Sequence, residues 1–248
     1  MITLDKVIIM DISKDDILNA VERARQLSFQ DNLRNRKPTV QFDCKVRGFL
    51  GEIGITKWLN SFGVKCWPEE KDGISAMDIY RSDIDLNIRG MQKDYLSEIK
   101  TSAKPDSWTT VDISTDKVFI SKCIINGDIK IIAHKNADYH TDIDRDIYIQ
   151  VYFGVKTAEH DNMLNERYSE NRDFLLMNNN DICHFLGLYD YIENIYFVGW
   201  KDKKSIIEEL DNMKPYERSY DIGAMRSFWK CSLKTARPPI SLINYLRT

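Results

Sequence analysis

The chain has 248 residues, 43% hydrophobic and 29% charged, a balance that excludes a disordered polymer and supplies apolar surface for one large core or two small ones. Its formal net charge of −3 excludes binding to a polyanion through bulk charge, so any grip on phosphates must come from local basic patches. No apolar run reaches spanning length, and Val7-Ile8-Ile9-Met10, flanked by Asp5 and Asp11, is too short and too charged for a signal peptide; a soluble, cytoplasmic protein with no membrane partner is expected.

Ser13-Lys14-Asp15-Asp16 has the form of a capping box, and Ile17, Val21 and Ala24 follow at helical spacing, which predicts a helix over 14–30. Pro38 and a basic loop holding Arg34, Arg36 and Lys37 break it. Val46, Phe49, Leu50, Ile53, Trp58, Leu59 and Phe62 then recur every three or four residues, predicting a helix over 43–61 with Gly63 at its C-terminal cap. Lys45 and Arg47 make a second basic patch on it.

Ile84, Leu86 and Ile88 alternate with Asp83, Asp85 and Asn87, the period of a strand, and beyond a turn at Gly90 the segment 95–101 supplies a partner. Residues 118–133 read as a hairpin around Asn126-Gly127. Two more strands are predicted over 146–155 and 192–200, a helix over 205–213, and mixed helix and loop over 163–188. The tail, 216–248, reads as irregular, aromatic and basic, packed back on the sheet. These elements make an α/β protein with a mixed sheet flanked by helices. The five cysteines (Cys44, Cys66, Cys123, Cys183, Cys231) never pair at short spacing and the four histidines do not cluster with them, so free thiols are expected and structural zinc is not.

The chemistry concentrates in Leu96-Ser97-Glu98-Ile99-Lys100. Alternation puts Glu98 and Lys100 on one face of a strand and Ile99 on the other. With the turn centred near Met91, Asp85 falls opposite Glu98 and Asp83 opposite Lys100. Carboxylates on adjacent strands suit Mg²⁺, which takes oxygen ligands and keeps several waters, and a lysine beside them stabilises a forming hydroxide and the charge growing on a phosphate. Other acidic-x-Lys triplets lack this setting: Glu69-Glu70-Lys71 and Asp202-Lys203-Lys204 read as loop or turn, and Asp128-Ile129-Lys130 reads as the tip of the hairpin at Asn126-Gly127.

At these residues the sequence resembles the PD-(D/E)xK nuclease superfamily, the fold of many restriction endonucleases. The matching pieces are Gly48-Phe49-Leu50-Gly51-Glu52 on a helix, Asp83-Ile84-Asp85-Leu86 on a strand, and Ser97-Glu98-Ile99-Lys100-Thr101-Ser102 on the next, with 147–152 and 196–200 as later core strands. The resemblance covers about residues 45–200. It implies a restriction-endonuclease-like sheet flanked by helices, Mg²⁺ as cofactor, and Asp85 and Glu98 as metal ligands, with Asp83 and then Asp78 as substitutes for the first because no proline precedes it. It also implies catalytic work for Lys100 and an assisting role for Glu52. The whole chain, 1–248, then reads as one nuclease domain with its core over about 43–200.

The hundred residues beyond Val155 favour a Type II restriction endonuclease cutting double-stranded DNA over a repair or recombination nuclease of the same fold. In the tail, Arg218, Arg226, Lys230, Lys234 and Arg237, interleaved with Tyr220, Phe228 and Trp229, are candidates for reading bases and gripping phosphates, or the aromatics simply pack a subdomain. Cutting both strands of a palindrome needs two active sites, so a homodimer is expected. Two rival readings stand beside this: a nucleotidyltransferase using Asp83 and Asp85 below Gly73 and Ser75, and a non-catalytic DNA-binding protein of nuclease shape.

Overall fold

Ser13 opens the first helix as the capping box requires: its hydroxyl accepts from the Asp16 N–H at 3.2 Å, and its own N–H donates to the Asp16 carboxylate at 2.7 Å. The computed structural model describes residues 2–27, 36–68, 84–104, 122, 124–133, 138–192, 195–222 and 226–248. Helix α1 spans Lys14–Arg25, shorter than predicted, and α2 spans Pro38–Ser61. Pro38 therefore starts α2 five residues before the expected boundary. At the first helical position its missing N–H has no partner to lose and its fixed φ suits the turn. Gly63, at φ +75°, ends α2: its N–H donates to the Asn60 carbonyl, and the Val64 N–H reaches back to Leu59.

The main sheet has six strands in the order β1 (Ile8–Ile9), β7 (Ile195–Asp202), β6 (Ile147–Lys156), β4 (Asp94–Lys104), β3 (Ile84–Arg89), β2 (Cys66–Pro68). Only β4 and β6 run parallel; every other pair is antiparallel. A second sheet joins β5 (Asp128–Ala133), β9 (Arg226–Ser232) and β8 (Ser219–Ile222). The helices α3 (Tyr139–Asp142), α4 (Thr157–Glu170), α5 (Asn179–Leu186) and α6 (Lys203–Asp211) lie between strands, and α7 (Ile240–Leu246) follows β9. None of the helices among the described residues is long and apolar enough to cross a membrane. The architecture is thus mixed α/β, a curled mixed sheet with flanking helices.

Two predicted pieces fold differently. Residues 124–126 are helical, not a strand, and β5 pairs with β9, about a hundred residues away; residues 118–121 of the expected hairpin lie outside the described residues. Local turn chemistry lost to a long-range partner. The tail is regular: it supplies β8, β9 and α7, and α7 sends Leu242, Ile243 and Leu246 into the larger core.

Strand alternation divides the interior in two. Ile147, Ile149, Val151 and Phe153 of β6, with Ile195 and Phe197 of β7, face the larger core beneath α1 and α2. Tyr148 and Tyr152, with Tyr196 and Val198, face a second core shared with Ile129 and Ile131 of β5, Cys231 of β9, and Ile206 and Leu210 of α6. Both middle strands are covered on both faces, which is why they read as nearly unbroken apolar runs.

The larger core depends on a close approach of α2 to β4. A methyl group on Gly51 would lie 2.7 Å from Cγ2 of Thr101 and 3.3 Å from Cγ2 of Ile99. Gly51→Ala is therefore expected to destabilise the protein by about 1–3 kcal/mol, the usual range for overpacking, read as a lower urea midpoint. An unchanged midpoint would show that the helix can lift off at no cost.

Candidate active site

Strands β3 and β4 are joined by a tight turn in which Gly90 N–H donates to the Lys93 carbonyl at 2.9 Å. Their register sets Asp85 directly across from Glu98 and Ile84 across from Ile99. Ile99 enters the larger core, so Glu98 and Lys100 occupy the opposite face of β4. The parallel neighbour β6 then places Tyr148 beside Glu98, Gln150 beside Lys100 and Tyr152 beside Ser102. Among the described residues the second core draws on β6 and β7 of the main sheet, and Glu98 and Lys100 lie one strand further out, on β4.

Glu98 and Lys100 are 6% and 8% exposed and form an ion pair with each other. This is no solvated surface pair. Taking both charges from water is costly, and their mutual contact offsets part of that cost. Tyr148 is held neutral beside them: burial, then the adjacent Glu98 carboxylate, pushes its phenol well above the usual range, while its oxygen accepts from the Arg145 N–H at 3.1 Å.

Gln150 is a member of this row that sequence reasoning missed. It is fully buried, and its amide nitrogen donates to Ser102 Oγ at 3.1 Å and to the Val151 carbonyl at 3.0 Å. A single amide in the run Ile147-Tyr148-Ile149-Gln150-Val151-Tyr152-Phe153 was the available signal.

The other expected site residues are placed less completely. The side chain of Asp85 lies outside the described residues, as do Asp78 and Asp83 entirely; so do Gly73 and Ser75 of the nucleotidyltransferase reading. Glu52 is described, and it does not join Glu98 and Lys100. Its helix packs on the other face of the sheet, through Gly51 against Ile99 and Thr101. Its carboxylate is held in a two-pronged ion pair by Arg23 of α1, at 2.8 and 2.9 Å, and that guanidinium stacks on the Phe49 ring at 4.1 Å. Arg23 was also missed, because a contact between two helices leaves no local pattern.

The C-terminal candidates are mostly engaged in packing. Arg218 donates to the Leu210 and Met213 carbonyls and lies over the Tyr139 ring; Arg237 pairs with Asp202 at 2.6 Å and lies over Trp200. The Trp229 indole donates to Asp142 at 2.7 Å and Phe228 is buried, while Lys230 and Lys234 are exposed. The side chains of Tyr220 and Arg226 lie outside the described residues. Asp128, expected at a hairpin tip, instead begins β5 opposite Ser232; burial raises its carboxyl, and Lys230 and Lys130 counteract that.

Among the described residues no three His, Cys, Asp or Glu side chains gather as a metal cluster, and Glu98 is the described carboxylate of this row. The arrangement therefore offers a carboxylate, an ammonium and an amide on one face, with the backbone of an aspartate directly opposite the carboxylate. Comparison of the chain with protein-family models, with curated proteins and with solved structures finds no match.

Proposed function

We propose that the chain is a Mg²⁺-dependent endonuclease of restriction-endonuclease-like fold acting on double-stranded DNA, as a Type II restriction enzyme. The observation that carries the reading is the register of β3 and β4, with Asp85 opposite Glu98 and Lys100 on the same strand face as Glu98. Carboxylate oxygens suit a hard divalent cation, so Asp85 and Glu98 would hold Mg²⁺, with Asp83 or Asp78 as further donors. The ion would supply positive charge against the phosphate. Lys100 contributes its ammonium to the attacking water and to the charge that develops on phosphate. In the reaction the water oxygen bonds to phosphorus as one bridging P–O bond breaks; the leaving sugar oxygen takes a proton and the water loses one to solvent. Lys230 and Lys234 are the exposed tail cations for contacts to the DNA backbone. A homodimer supplies the second site for the second strand.

A second reading has its own support. The Glu98–Lys100 pair is buried, as in a protein that keeps the shape and binds DNA without cutting it. Incubation with supercoiled plasmid and unmethylated phage DNA, with Mg²⁺ and with EDTA, separates the two. Discrete Mg²⁺-dependent bands are expected. A smear means a nuclease without sequence specificity, and a gel shift with no nicking in Mg²⁺ or Mn²⁺ gives the case to the binding protein.

A further inference from the structure

Gln150 sits fully buried at the centre of β6 between apolar and aromatic neighbours. An amide there is costly unless each of its groups finds a partner. Its nitrogen finds two, Ser102 Oγ and the Val151 carbonyl. The second contact fixes which corner of the amide is nitrogen, because a turned-over group would set one carbonyl oxygen against another. The remaining corner, Oε1, has no hydrogen-bond partner among the described residues. Native interiors seldom leave such an oxygen empty, and an ordered water is the common occupant.

The register places this oxygen's residue next to Lys100, whose ammonium pairs with Glu98, and the Ser102 that receives the amide N–H follows Lys100 by two on the same face. We infer that Gln150 Oε1 is the fixed acceptor of a one-water site shared with Lys100, and, resting here on the nuclease reading, that this water is the nucleophile. A water that accepts from Lys100 and donates to Gln150 keeps one lone pair free for phosphorus. The amide only orients it. As the new P–O bond forms and the bond to the leaving sugar oxygen breaks, the departing proton passes to bulk water, and the leaving oxygen takes one from there.

A high-resolution crystal structure of the wild-type protein is expected to hold a water within hydrogen-bonding distance of both Gln150 Oε1 and Lys100 Nζ, absent in Gln150→Leu. In plasmid cleavage with Mg²⁺, Gln150→Leu is expected to lose about 10²-fold in kcat at unchanged KM, as for a misplaced nucleophile. If the leucine variant does not fold, Gln150→Met, closer in volume and equally without an oxygen acceptor, carries the test, with the water absent and kcat lowered alike. A protein donor on Oε1, an empty Oε1, or wild-type kcat in a folded Gln150→Leu overturns the inference. A wild-type crystal that holds the water in a protein that cuts no DNA sinks the nuclease reading and leaves the water site standing.

Discussion

Glu98→Gln and Lys100→Met are each expected to lower plasmid cleavage by about 10³-fold or more, while the double variant folds as well as the wild type. The two halves of that expectation come from different physics. On the proposed nuclease reading cleavage needs the charges: an amide at position 98 is a poorer metal ligand than a carboxylate, and a thioether at 100 cannot donate to water or phosphate. Stability needs the charges to match. Both groups are almost fully buried, so removing one breaks a buried ion pair, at a cost of about 3–5 kcal/mol. Lys100→Ala or Glu98→Ala alone therefore confounds unfolding with loss of chemistry. Removing both charges with side chains of similar volume restores the balance, and such replacements are often neutral or stabilising. Urea midpoints for the two singles and the double, read beside plasmid nicking, separate the roles. Normal cleavage by either folded single variant would mean the catalytic row is elsewhere.

That design was not available from the pattern of residues alone. The period of Ile84, Leu86 and Ile88, the turn at Gly90 and the alternation around Glu98 are short-range signals, and they were sufficient to place Asp85 across from Glu98. The burial of Glu98 and Lys100 is a long-range effect. Tyr148 and Gln150, which flank them on β6, lie about fifty residues further along the chain. Asn126-Gly127 shows the limit of local reasoning: a turn signal makes a hairpin only when both flanks are strands, and here residues 124–126 are helical. Pro38 shows the same ambiguity in reverse, since proline breaks a helix interior but suits a first turn. Glu52 was correctly placed on a helix, yet its partner Arg23 sits on another helix and its side of the sheet depends on Gly51 packing against β4. Basic and aromatic residues of the tail looked alike in sequence. Only packing separates Arg218, Arg237 and Trp229, which hold the structure together, from the exposed Lys230 and Lys234.

The second large effect lies away from the candidate site, at Asp43. This carboxylate is fully buried in α2 and receives Arg47 Nε at 2.8 Å, the Tyr191 hydroxyl at 2.6 Å and His160 Nε2 at 3.2 Å. Burial by itself raises its pKa; the Arg47 charge, then His160 and Tyr191, outweigh that and hold it at about 2, against 3.8 for an ordinary aspartate. A carboxyl group depressed on folding adds stability above its unfolded pKa and loses it as pH falls through the folded one. The contribution is thus complete above about pH 4 and gone near pH 2, and it amounts to about 2 kcal/mol. Asp43→Asn keeps hydrogen-bonding oxygen and similar volume but cannot titrate. Its urea midpoint is expected to be lower than wild type at neutral pH and to lack the wild-type decline between pH 4 and pH 2. Asp43→Ala is harsher, about 3–5 kcal/mol at neutral pH, because Arg47 stays buried without the carboxylate it is bonded to. Equal pH slopes for wild type and Asp43→Asn across that acid window would assign the acid sensitivity to other carboxylates and reduce this network to simple packing between α2, α4 and the turn that carries Tyr191.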